Sequence, residues 1–314
     1  MSLAVAFTWH VLPFEDLLAL VRRAEALGFS AVYVDGDVSL LARRRDVLEG
    51  WTLTSSLLAR TERIAIGSIR LVTHWNAARL AQAVATQERV TPGRLRFLIS
   101  VGAQPIDRRF GLPFPPASER IAWLRETLEV LRALWRGEVV TRRGEHVQLE
   151  EAWISPPPAR RIPIAVAGRG RALLRVVAEQ ADAWDVNLPP LPSRVAAAAE
   201  HLDAACRAAG RDPATIRRSM WIFSRPGWDP ADPRLAEEFR RWNPWFGDLP
   251  RGEIAEAAVA GEGGECRRRL AALAEALHLD EPVADLSGLA AGEALRALDA
   301  LAPENNVDPR GWSP

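Results

Sequence analysis

"IPIAVAGRGRALLRVVAEQADAWDV", residues 162–186, decides the fold. Its first apolar run, 162–167, is a buried strand. The turn Gly168-Arg169-Gly170-Arg171 leads directly into a helix predicted over 172–180, and a second strand, 183–187, follows at once. Apolar runs without polar alternation fit strands covered on both faces, as in a parallel sheet wrapped by helices.

The same alternation extends in both directions. Upstream, strands are predicted at 2–8, 31–34, 64–72 and 95–101. Leu17, Leu20, Val21, Ala24 and Leu27 follow helical spacing up to a Gly28 cap, and further helices are expected at 51–60 and 77–90, the latter ended by Thr91-Pro92-Gly93. Ile121, Leu124, Leu128, Leu131 and Leu134 mark another helix, and 139–149 reads as a β-hairpin around Gly144. Downstream come a helix at 195–209, a strand at 219–224, and a long loop holding Trp228, Trp242 and Trp245. A helix at 265–277, a weak strand at 283–286 and a last helix at 292–301 complete the pattern. Eight strand-helix units make an α/β protein: a single (β/α)8 TIM barrel with a β-hairpin insertion before the fifth strand, over residues 1–302, with 303–314 as a C-terminal tail. A doubly wound open sheet would carry a glycine fingerprint after its first strand, and that fingerprint is missing.

Composition narrows the function. The 314 residues carry 40 basic and 40 acidic side chains and no block of like charge, which points away from nucleic acid and membrane and toward a small-molecule substrate. No signal segment or bilayer-length apolar run is apparent, so a cytoplasmic protein is expected, and a homodimer is left open. Every basic residue is arginine, which excludes lysine Schiff-base chemistry. Cys206 and Cys266 support neither a disulfide framework nor a metal site and read as buried fillers.

In a barrel of this kind chemistry sits at the C-terminal strand ends. Those ends carry Trp9 and His10, Asp35 and Asp37, Thr73, His74 and Trp75, and Gln104. His10, Asp37 and His74 fall on consecutive strands, so they are the candidate catalytic cluster, imidazole titrating near neutrality and carboxylate orienting it. For each residue singly, a loop side chain bonded to backbone is an equal reading. A shared metal ion, as in a hydrolase, would want a tighter ligand motif, so no metal is expected. Gly168, Arg169, Gly170 and Arg171 gather glycines, guanidinium groups and free N–H groups at a helix start, a place for phosphate or carboxylate. Trp9, Trp75, Trp184 and Trp221 lie near strand ends, where they could line a planar ligand, although core packing explains each alone.

On "ERIAWLRETLEVLRALWRGEVVTRRGEHVQLEEAWISPPP", the stretch 162–187 after it, "LLARTERIAIGS" and "ATQERVTPGRLRFLISVG", the chain resembles the luciferase-like monooxygenase superfamily of flavin- and coenzyme F420-dependent barrels. The resemblance implies an oxidoreductase with a flavin-like ring over the barrel mouth and its phosphate at Gly168, Arg169 and Gly170. It also implies a bulged third strand under the ring, with Ser68 and Ile69 at the matching positions. F420, an obligate hydride carrier, is the cofactor implied first, and FMN with a monooxygenase activity is the alternative. A flavin-binding protein without turnover is a further one. Relatives often read Ser-Asp-His at the second strand's end, where this chain has Asp35, Gly36 and Asp37. An aspartate is a poorer proton carrier at neutrality unless burial raises its pKa, so His10 or His74 competes with Asp37 for that task.

Overall fold

The computed structural model describes residues 2–7, 13–34, 46–102 and 105–304. Four parallel strands open the barrel: β1 (Ala4–Phe7), β2 (Ala31–Val34), β3 (Ala65–Leu71) and β4 (Leu95–Ser100). A separate antiparallel hairpin, β5 (Val140–Arg143) and β6 (Gln148–Ala152), precedes the fifth barrel strand, β7 (Ile164–Gly168). Then come β8 (Ala183–Val186), β9 (Arg217–Pro226), a short β10 (Val259–Gly261) and β11 (Glu281–Asp285). β8 pairs with β9, β9 with β11 and β11 with β1, all in parallel, which closes eight strands into a barrel. β10 pairs only with the last three residues of β9.

Ten helices are found among the described residues. They are α1 (Phe14–Leu27), α2 (Gly50–Ala59), α3 (Ala77–Val90), α4 (Ala117–Trp135), α5 (Arg171–Gln180), α6 (Pro192–Ala208), α7 (Pro233–Trp242), α8 (Arg251–Ala257), α9 (Gly263–Ala276) and α10 (Ala291–Leu301). The local chemistry sets several starts: Glu49 accepts from the N–H groups of Trp51 and Thr52 at α2, and Asn76 from those of Ala78 and Arg79 at α3.

Two apolar layers follow from strand alternation. Outward-facing Val5, Val32, Ile66, Phe97, Ile164, Trp184 and Ile222 pack against the helices. Inward-facing positions are small, with Ala4, Ala6, Ala31, Ala65, Ala165 and Ala183 around Tyr33, Leu98 and Val283. Six alanines leave room for large inward side chains, and Tyr33, Arg96 and Trp221 take it.

The weak eighth strand is real and begins two residues earlier than expected, at Glu281. The loop after the seventh strand is more ordered than expected, since it contains α7, α8 and β10. The start of α7 is marked by Asp232, whose carboxylate accepts from Arg234 N–H, and by Pro233 in the first turn. Leu235, Phe239 and Trp242 then share its buried face. β3 keeps an unbroken register with β4 from Ile66 to Leu71, so its pairing carries no bulge at Ser68 and Ile69. The cis peptide among the described residues precedes a proline, Ser155-Pro156. Cys206 and Cys266 are both free and buried.

Candidate active site

The fifth-strand turn joins two positive-φ glycines and two arginines to the start of a helix. Gly168 and Gly170 hold φ of 148° and 91°, a region that side chains rarely adopt, and the space beyond Gly170 is open. No side chain caps α5, so the N–H groups of its first turn face outward with the positive end of the helix. Arg169 and Arg171 are exposed on either side. The buried indole of Trp184 donates to the carbonyl of Gly168 at 2.9 Å and fixes the turn from behind. Trp184 therefore packs in the helical layer and does not line the mouth.

The inner floor beneath the mouth is aromatic and apolar. Ile69 and Trp221 are partly buried and pack against the inward-facing layer, and the Trp221 ring lies 5.5 Å from that of Tyr33 at 53°. Ser68 is on the opposite face of β3 from Ile69, buried, and accepts a hydrogen bond from Arg70. Arg70 in turn reaches Glu49 at 3.5 Å. Of the two residues matched to the cofactor ring, Ile69 thus looks into the barrel and Ser68 toward the start of α2.

Below that floor lies a buried polar cluster not anticipated from sequence. Glu281 accepts from the hydroxyls of Ser30 and Tyr33, and Arg96 lies 3.9 Å from it. Burial pushes the Tyr33 phenol well above its ordinary pKa, and the Glu281 carboxylate adds to this. Across the lumen, the Asp185 carboxylate accepts from Ser219 at 2.8 Å and is only 7% exposed. Burial raises its pKa to about 7, outweighing the Ser219 bond that favours the charged form.

The eighth side of the mouth is tied by Arg225, which is 1% exposed. Its guanidinium donates to the carbonyls of Ser224 and Ser287 at 2.8 and 2.6 Å and stacks on Phe223 at 3.9 Å. Burial lowers its pKa to about 10, which leaves it charged at neutrality. Asp285 accepts from Ser287, and burial raises its pKa.

His74 ends a 3-10 turn after β3 and lines a flank cavity of about 460 Å³ between that turn, α4 and the hairpin tip. Trp123 and His146 stack in its wall, ring centroids 5.6 Å apart, and Trp75 packs edge-on against Trp51. His10, Asp37, Trp9, Asp35 and Gln104 lie outside the described residues, so the structure does not bear on the three-residue cluster as a whole. Among the described residues no group of three His, Cys, Asp or Glu is placed to hold a metal, and no helix is long and apolar enough to cross a membrane.

Comparison with known proteins gives one family and relatives named as dehydrogenases and as a monooxygenase. The family model for luciferase-like monooxygenases matches residues 1–232. An F420-dependent glucose-6-phosphate dehydrogenase of Beutenbergia cavernae is 28% identical over 241 residues, covering 72% of this chain and 68% of that protein. A pyrimidine monooxygenase of Allorhizobium ampelinum is 30% identical over 188 residues, 57% of this chain and 50% of the other. Other dehydrogenases bearing the first name match over about half of their own length. Among solved structures, an F420-dependent secondary alcohol dehydrogenase in complex with an F420-acetone adduct superposes with a TM-score of 0.82 at 19% identity, covering 98% of this chain and 99% of that one. At that identity the likeness shows the fold.

Proposed function

The chain belongs to the luciferase-like monooxygenase family, and from that premise we infer that it is an oxidoreductase whose barrel mouth takes coenzyme F420 and a small organic substrate. The observation that carries this reading is the fifth-strand turn: two left-handed glycines, two exposed arginines and an uncapped helix start, in a chain without lysine. That cradle fits the phosphate of an anionic cofactor. When bound, F420 supplies an obligate hydride carrier.

The chain's own residues have separable tasks. Arg169, Arg171 and the N–H groups of the first turn of α5 hold the phosphate. Ile69 and Trp221 close the inner side of the mouth, which keeps water from the reacting face. His74 sits in the flank cavity, so the proton is assigned to Asp37 or His10. Asp37→Asn is expected to lower turnover by about 10²-fold with the cofactor dissociation constant unchanged, as for a general acid or base. Equal losses in both quantities would make Asp37 a binding group.

The test of the reading is titration with oxidised F420 and, separately, FMN, followed by fluorescence quenching. Tight F420 binding with FMN excluded supports it. FMN binding alone would turn it to the monooxygenase chemistry found among the relatives. Arg169→Ala and Gly170→Val are each expected to weaken F420 by roughly 10- to 100-fold, the scale of losing a hydrogen bond to a charged group or the turn that presents it. Affinity unchanged in both would place the phosphate elsewhere. The same reading takes the protein to be cytoplasmic, and light scattering at micromolar concentration tests a homodimer.

A further inference from the structure

The flank cavity of about 460 Å³, between the 3-10 turn Val72–His74, α4 and the hairpin tip, has no part in the function proposed above. Its volume falls within the ~300–1,000 Å³ usual for small-molecule pockets. Four aromatic rings line it: His74 and Trp75 after β3, Trp123 from α4 and His146 from the tip. The planes of Trp123 and His146 are nearly parallel, 7° apart with centroids at 5.6 Å, so the two rings form an offset stack. Trp75 is braced from behind by Trp51, edge to face at 5.9 Å.

A carboxylate anchors the tip that carries His146. Glu126, on α4, accepts from the backbone N–H groups of Glu145, His146 and Val147 at 3.1, 3.3 and 2.9 Å, and the Arg142 guanidinium lies 3.6 Å from it. A Cβ at Gly144 would collide with that carboxylate, so glycine allows the close approach. Two polar atoms in the cavity lining are left over. Thr73 is 5% exposed, and its hydroxyl and the Nε2 of His146 are buried with no hydrogen-bond partner among the described residues. Buried polar atoms are nearly always hydrogen-bonded, because an unmade bond costs the desolvation of the group. A molecule in the cavity can supply both partners.

We propose that the flank cavity is a binding site for a planar heteroaromatic group with a hydrogen-bonding edge, of about the size of nicotinamide, held by Thr73 Oγ1 and His146 Nε2. A ring that meets Nε2 in the plane of the imidazole lies parallel to the Trp123 indole, because those two planes differ by 7°. One orientation therefore satisfies the edge and keeps the face parallel to an aromatic wall. A saturated ring carrying the same polar group would satisfy the edge alone.

The test uses the full chain without cofactor, so it is independent of the F420 reading. Saturation-transfer difference NMR with nicotinamide is expected to show transfer to the ring protons that saturates on titration. Cyclohexanecarboxamide, which keeps the amide and lacks the π face, should bind about fivefold or more weakly. Thr73→Val and His146→Phe should each weaken nicotinamide by roughly 2- to 10-fold, the scale of one hydrogen bond, and the second keeps an aromatic ring beside Trp123. Thr73→Val should melt at the wild-type temperature or above it, since it removes a buried hydroxyl that has no partner. Trp153→Ala, which removes an indole 66% exposed near the hairpin base, should change nothing. The proposal is overturned if nicotinamide shows no transfer, if cyclohexanecarboxamide binds as well, or if either edge variant keeps wild-type affinity. It is equally overturned if Trp153→Ala loses as much as those variants, or if Thr73→Val lowers the melting temperature.

Discussion

Asp185→Asn is expected to raise the unfolding free energy at pH 8 by ~2–4 kcal/mol while leaving it nearly unchanged at pH 4. The carboxylate is buried in the lumen with Ser219 as its hydrogen-bond donor, and burial raises its pKa from 3.8 to about 7. Because the folded-state value lies above the unfolded one, the folded chain holds the extra proton between those pH values. The group's favourable contribution is complete below pH 3.8 and is lost as pH rises through about 7. A shift of about three pH units corresponds to ~4 kcal/mol, an upper figure because local relaxation softens the cost of a buried charge. Asparagine keeps the shape and an acceptor for the Ser219 hydroxyl but has no charge to bury. Urea unfolding of both proteins at pH 4 and pH 8 measures the difference. Equal stability of the two at pH 8 would mean that Asp185 carries its charge in the folded state without cost.

What could be read in advance divides by the range of the interaction. The eight barrel strands and the hairpin were visible because each is announced within a few residues, by an apolar run, a Gly or Pro boundary or a helical repeat. The 3-10 turn that carries His74 into a flank cavity leaves no such mark: "LVTHWN" reads as a strand end. Two-residue alternation along β3 does separate Ile69 from Ser68, so the difference in their facing was accessible from the pattern alone. Helices α7 and α8 after the seventh strand were missed because they are 10 and 7 residues long and embedded in tryptophans, although Asp232-Pro233 and the spacing of Leu235, Phe239 and Trp242 announce the first of them. Arg225 reads as one arginine among 40, and only closure of β9 onto β11 reveals that it ties two strand ends. The polar cluster under the mouth was least accessible of all. Glu281 meets Tyr33 across 248 positions of sequence, and its strand looked weak because it opens with a glutamate and a proline.

That glutamate should be among the costliest positions in the chain to truncate. Glu281 is 1% exposed, as is Ser30, while Tyr33 is fully buried and Arg96 is 2% exposed. Glu281→Ala would take away the acceptor of two buried hydroxyl donors and the carboxylate 3.9 Å from the Arg96 guanidinium, and removing one partner of a buried charge pair costs ~3–5 kcal/mol. Glu281→Gln restores an acceptor to Tyr33 and Ser30 but removes the negative charge beside Arg96, so it should recover part of the loss. The double variant Glu281→Ala with Arg96→Met should be more stable than the sum of the two single losses by ~1–3 kcal/mol, since each single change already breaks the shared interaction. Denaturant midpoints for the four proteins at one pH decide this. Strict additivity would mean that Arg96, at 3.9 Å, draws its compensation from elsewhere and that Glu281 serves the hydroxyls alone. A positive coupling would identify the pair as the electrostatic tie across the barrel floor, joining β4 to β11 beneath the mouth from opposite sides of β1, β2 and β3.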